Sequence, residues 1–157
     1  LMGGARVCAA FFALIFAFAA TDDAVAGLGQ PGASIARDRA RMAATTQTAR
    51  TIAGGVEHRM TLANGTLVKE IENVAGAVVA VAWRGPGRPD LRQLLGAQYF
   101  ATFQEAANTG HGRIRMRRAP RVHRNDIVIQ TGGHPGAFWG IAYLPGQLPA
   151  GFDPNAF

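Results

Sequence analysis

The sequence predicts an α+β domain built on an antiparallel sheet of about five strands, a three-stranded meander followed by a helix and then a hairpin, with helices packed on one face. Three observations carry that expectation. Val56, His58, Met60 and Leu62 alternate with Glu57, Arg59 and Thr61, the period of a strand with one buried face. Asn64-Gly65 follows, the strongest short hairpin signal, read here as a type I′ turn. Leu91, Leu94 and Leu95 then form an i, i+3, i+4 stripe behind Pro89-Asp90, as in the first turns of a capped amphipathic helix.

The elements follow in chain order. Gly27 to Gly32 (GLGQPG) has no periodicity and reads as a flexible segment. Ser34 is placed to cap a short helix from Ile35 to about Ala44, with Ile35 and Met42 on one face and Arg37 and Arg41 on another. Thr45 to Gly55 shows no pattern and reads as a connection leading into the first strand. After the Asn64-Gly65 turn the chain returns through Thr66 to Glu72, turns again over Asn73 to Gly76, and enters Ala77 to Trp83. That last run is apolar on both faces, which predicts a central, doubly covered strand. The helix beginning after Asp90 is interrupted at Gly96 and resumes through Tyr99, Phe100 and Phe103; glycine costs about 1 kcal/mol in a helix interior, so a break is expected there. Asn108 to Arg124 reads as a long Arg-rich loop, Asp126 to Thr131 and Ala137 to Leu144 as two strands, and Pro145, Pro149 and Pro154 as marks of an irregular tail.

Ahead of all this stands a leader. Arg6 precedes the 14-residue apolar run Val7 to Ala20, and Ala24-Val25-Ala26 supplies a small-residue cleavage site, the order of a secretory signal peptide. A bilayer span needs about 20 residues, so the run is short for an anchor. Residues 1–26 are thus expected to be a cleavable signal peptide and residues 27–157 one small domain, exported to the periplasm or secreted. Cys8, at the start of the apolar run, lacks the context of a lipidation signal. Cleavage removes this only cysteine, and with it any disulfide, thiolate nucleophile or Cys-ligated metal.

Without residues 1–26 the chain holds 15 basic against 8 acidic side chains, a balance that favours anionic partners. Arg outnumbers Lys 15 to 1 while Ala and Gly abound, a composition that GC-rich codons also produce. Arg113, Arg115, Arg117, Arg118, Arg121 and Arg124 crowd one segment with no acid before Asp126, forming a candidate anion-binding loop or a solvated one. No aromatic residue interleaves these arginines, which disfavours nucleic acid.

Asn-Gly-Thr-Leu-Val-Lys-Glu (64 to 70), Val-Ala-Trp-Arg-Gly-Pro (81 to 86), Pro-Asp-Leu-Arg-Gln-Leu-Leu-Gly (89 to 96), Tyr99-Phe100 and Gly132-Gly133-His134 together resemble a bacterial family of exported proteins, domain of unknown function 2844. The resemblance covers most of the chain after the leader and implies an exported bacterial protein. It implies no activity and no site residues. The family tends to carry an aromatic after the Glu and another in the third strand, where this chain has Ile71 and Val79 or Ala80.

Among catalytic chemistries, serine hydrolysis fails first, because Ser34 is the only serine and has no G-x-S-x-G elbow around it. His58, His111, His123 and His134 show no ligand-pair spacing, so neither a metal nor another cofactor is expected. His58 reads as a satisfied, half-buried histidine. Glu70 and Glu72 project from one strand face without the facing cleft of a glycosidase, and are expected to be solvated or paired with Arg59. Arg84, Asp90, His134 and Trp139 lie on or beside two Gly/Pro-rich loops that a joined sheet would bring to one end, making them the candidate small pocket. The alternative places Asp90 as a cap and His134 in solvent. The leading expectation is a non-enzymatic envelope module binding an anionic polymer, a lipid surface or another envelope protein. A small hydrolase using scattered His and carboxylates, and a structural or assembly factor, are the alternatives.

Overall fold

The computed structural model describes residues 27–109 and 119–154. Residues 1–26, expected from sequence to be a signal peptide, most of the Arg-rich segment and the last three residues lie outside the described residues. A 3-10 turn at Gly32–Ser34 leads into α1 (Ile35–Arg41), followed by β1 (Ala44–Ile52), β2 (Gly55–Leu62), β3 (Leu67–Asn73) and β4 (Val78–Gly85). Helix α2 (Leu91–Thr109) crosses to β5 (Arg121–His123), β6 (Val128–His134) and β7 (Ala137–Tyr143). The strands form one seven-stranded antiparallel sheet in the order β1-β2-β3-β4-β7-β6-β5, two meanders joined along β4 and β7.

The sheet has seven strands where about five are expected from sequence, and both additions are edge strands. β1 takes up most of what reads as a connection; its side chains are largely exposed, so no apolar alternation marks it, and β-branched Thr45, Thr46, Thr48 and Thr51 carry its strand preference. β5 is three residues within the Arg-rich segment, with Val122 alone buried. β4 lies at the centre with Val78 to Trp83 all buried, in agreement with its apolar run.

Four local expectations need correction. Gly27 to Gly32 is not a loose segment: Leu28 N–H donates to Leu94 O, Gly29 N–H to Val78 O and Gly32 N–H to Gly76 O, and Leu28 is buried. A strap with so little side chain can approach other backbone closely. Ser34 does not cap α1; it sits in the preceding 3-10 turn in a helical conformation, its hydroxyl buried. The Asn64-Gly65 turn is not type I′. Gly65 N–H donates to Leu62 O, only Gly65 has positive φ, and Leu62 N–H returns to Thr66 O, a three-residue loop with glycine in its left-handed position. Finally, α1 stops at Arg41, short of Ala44, where Ala43 turns to φ 50° and releases the chain into β1.

Helix α2 breaks where expected: Gly96 has φ 72° and ψ 162°, so two helical pieces meet at an angle. Asp90 Oδ1 accepts the Gln93 N–H at 3.1 Å, which makes Asp90 the cap of the first piece. Asp90→Ala is expected to lower stability by about 1 kcal/mol in urea unfolding.

The helices cover one face, where α2 residues Leu94, Leu95, Tyr99, Phe100 and Phe103 join a core with Met60, Val68, Val81, Trp83, Ile129 and Ala142. On the opposite face the segment after β7 folds back, and Leu148 and Phe152 pack against Ile71, Val79 and Ala80. This tail covers part of that face and leaves the rest accessible.

Candidate functional site

Strand register places three aligned rows of side chains on the face away from the helices. One reads Thr61, Leu67, Arg84, Trp139, Gly132 across β2, β3, β4, β7 and β6. The next reads Arg59, Lys69, Ala82, Ile141, Gln130. A third begins Arg50, Glu57, Ile71, Ala80 and lies toward the tail. Leu67, Arg84 and Trp139 of the first row and Lys69, Ala82, Ile141 and Gln130 of the second floor a groove of about 910 Å³ that Pro154 of the tail also lines.

Two features set the groove apart. Leu67 and Trp139, 51 % and 41 % exposed, are large apolar side chains left in solvent, and they flank Arg84 in one row. Trp139 also lies low over the sheet: a Cβ at Gly132 would stand 2.6 Å from its indole, so only glycine leaves the ring room there. The other feature is charge. Arg50, Arg59 and Lys69 lie around Glu57, whose Oε1 accepts from Arg59 Nε at 2.6 Å and from Arg50 Nη2 at 3.4 Å, and Arg84 adds its charge beside Lys69. Burial alone would raise Glu57, but the adjoining Arg59 holds its carboxyl below the usual range. Lys69 is pushed down from its ordinary value by burial, and the neighbouring arginines add to that against Glu57. Cations thus gather toward β1 to β4 and apolar surface toward β7. Arg88 stacks its guanidinium 4.5 Å from the Phe138 ring centroid.

Of the four pocket residues expected from sequence, the fold brings two together. Arg84 and Trp139 are direct cross-strand partners and both line the groove. Asp90 is committed to its helix, and exposed His134 sits at the β6–β7 turn with Nδ1 3.0 Å from Pro135 O. Arg84, Asp90 and His134 therefore do not converge. Of the arginine loop, Arg113, Arg115, Arg117 and Arg118 lie outside the described residues; Arg121 and Arg124 are exposed on and beside β5, and Arg124 meets Glu105 at 3.3 Å. Leu67 and Lys69 escape sequence reasoning, although strand alternation already puts both opposite Val68 and Glu70.

A second polar cluster lies under α1, on the helix face. Glu70 is not solvated and does not meet Arg59, which faces the other way; it is fully buried and its carboxyl meets that of Asp38. Gln93 Nε2 donates to Asp38 Oδ1, and Arg41 Nη1 donates to Gln93 Oε1 at 3.2 Å. Among the described residues no N–H or hydroxyl donor reaches Asp38 Oδ2 or either Glu70 oxygen. Two ionised carboxylates cannot satisfy each other, since both only accept. A proton held by Glu70 and given in a hydrogen bond to Asp38 Oδ2 resolves the contact. In keeping with this, burial and then the Asp38 charge push Glu70 well above the usual glutamate range, and burial raises Asp38 against the hydrogen bond from Gln93. Beside them, Glu72 pairs with half-buried His58 at 3.0 Å. Among the described residues no group of three or more His, Cys, Asp or Glu could hold a metal ion.

A family model described as a protein of unknown function, DUF2844, matches residues 24–157, a range that takes in every element of the fold. No curated protein and no solved structure gives a significant match.

Proposed function

The chain belongs to the DUF2844 family, whose description names no activity, and we therefore propose a function from the site itself: a binding module that holds a lipid-like anionic partner on the sheet face away from the helices. The row Leu67–Arg84–Trp139 carries the reading, because it sets a guanidinium between two apolar side chains that the fold leaves in solvent. A partner that covers this exposed apolar area removes its contact with water. The surrounding cation excess selects the partner's charge.

The domain acts beyond the membrane in this reading, delivered by the leader 1–26 and cut after Ala26. The apolar run, the Ala24-Val25-Ala26 site and a family match that starts at residue 24 support that. Among the described residues no helix is long and apolar enough to cross a membrane.

Sedimentation with vesicles tests the binding reading. The protein is expected to pellet with phosphatidylglycerol vesicles at low salt, to be released as salt rises, and to stay in solution with phosphatidylcholine. Lys69→Gln combined with Arg84→Gln is expected to abolish pelleting. Equal pelleting of the variant would assign the binding to other arginines and overturn the reading.

A further inference from the structure

We infer that the groove takes up a single-chain anionic amphiphile as a monomer, one alkyl chain ending in a carboxylate or phosphate; this rests on the binding reading above and names its ligand.

Polarity runs across the strands. Lys69 on β3 and Arg84 on β4, backed by Arg59 and Arg50, make the head end, while Ala82, Ile141 and Trp139 continue on β4 and β7 as an apolar track. The ligand's charge therefore belongs toward β3 and its chain toward β7. From β3 to β6 the groove crosses three strand spacings, roughly 14 Å at about 4.8 Å each, room for a medium-length extended alkyl chain. Its volume of about 910 Å³ is in the range of small-molecule sites.

Shape decides between a monomer and a bilayer. A membrane surface meets a convex or flat patch, whereas this floor is bordered by the returning tail at Pro154. Lipid headgroups of a vesicle meet the cationic end at Lys69 and Arg84, whereas one extended chain also follows the floor toward β7. Burial and the neighbouring arginines both disfavour the charge on Lys69, and an anionic head relieves it. The low seat of Trp139 over Gly132 leaves a shallow track beside the ring in place of an upright indole that would block it.

The test is a calorimetric titration of the protein with carboxylates of 2, 8, 10 and 12 carbons below their micelle concentrations, with the matching neutral alcohols, followed in parallel by tryptophan fluorescence. Affinity is expected to rise about threefold to fourfold for each added methylene, from about 0.8 kcal/mol of transfer free energy each. Alcohols are expected to bind at least tenfold more weakly, and Arg84→Gln to bring the carboxylates down to the alcohols. Trp139→Ala, or Gly132→Ala as a milder variant that displaces the ring, is expected to flatten the chain-length slope while leaving the head preference. If acetate binds as tightly as the 12-carbon acid, the groove is an anion patch; the amphiphile inference falls and the binding reading stands. It falls in the same way if only vesicles bind and no monomer does. If neither vesicles nor amphiphiles bind, both fall.

Discussion

Replacing Glu70 with Gln is expected to stabilise the protein by about 1–3 kcal/mol at pH 8 and to leave its stability unchanged near pH 4. The carboxyl is fully buried, faces Asp38 on α1, and among the described residues has no donor aimed at either oxygen. Its own proton is what turns two acceptors into a hydrogen bond. A folded-state affinity raised above the ordinary value of 4.5 means that unfolding releases this proton between 4.5 and the raised value. The pair's contribution is therefore complete below 4.5 and is lost as pH rises through the folded value. Glutamine supplies an N–H to Asp38 Oδ2 at every pH and so removes the loss. Glu57 acts in the opposite sense: its lowered carboxyl adds stability above the usual value, which disappears as pH falls through the depressed one. The difference between Glu70→Gln and the parent across pH 4 to 9 in urea unfolding isolates the Glu70 contribution. A constant difference would show that no proton is shared. His58, Glu72, Arg37 and Arg41 are the other charged groups nearby, and all are present in both proteins.

The second large effect is expected at Gly140. On β7 it lies opposite Trp83 of β4, and a Cβ there would run into Trp83 Cζ2 in the helix-side core. Trp83 is 4 % exposed and cannot swing clear. Gly140→Val is expected to cost at least about 3 kcal/mol, or to leave no folded protein at 37 °C, as read by near-UV circular dichroism and urea titration. Gly132→Ala is the informative contrast. The same kind of glycine lies beneath an indole there, but Trp139 faces solvent and its ring can lift, so less than about 1 kcal/mol is expected.

These two positions also show where sequence reasoning reaches and where it stops. β2, β3, β4, β6, β7 and the kink at Gly96 are legible, because each buries one face or both and so carries its period in the residues. β1 and β5 escape because edge strands with exposed side chains have no pattern to impose. Glu70 is the instructive case: it shares a face with Val68, so alternation assigns it to the core, yet its charge argues for solvent. The assignment by charge fails because a partner on α1, distant in sequence, removes the charge. Arg84 and Trp139 are found as loop-proximal residues, while the pairing that gives them meaning depends on β7 docking against β4. Nothing in the local sequence at either strand specifies that choice of neighbour.

The β4–β7 seam has a kinetic consequence. Every other strand pairing joins neighbours in sequence and can form as soon as both are made, whereas β7 must return past α2, β5 and β6 to find β4. A chain made amino-terminus first therefore leaves one edge of β4, apolar from Val78 to Trp83, unpaired until its final strand is available. Closure of that loop is expected to set the pace of folding, and until it happens the amino-terminal meander is the part most exposed to aggregation.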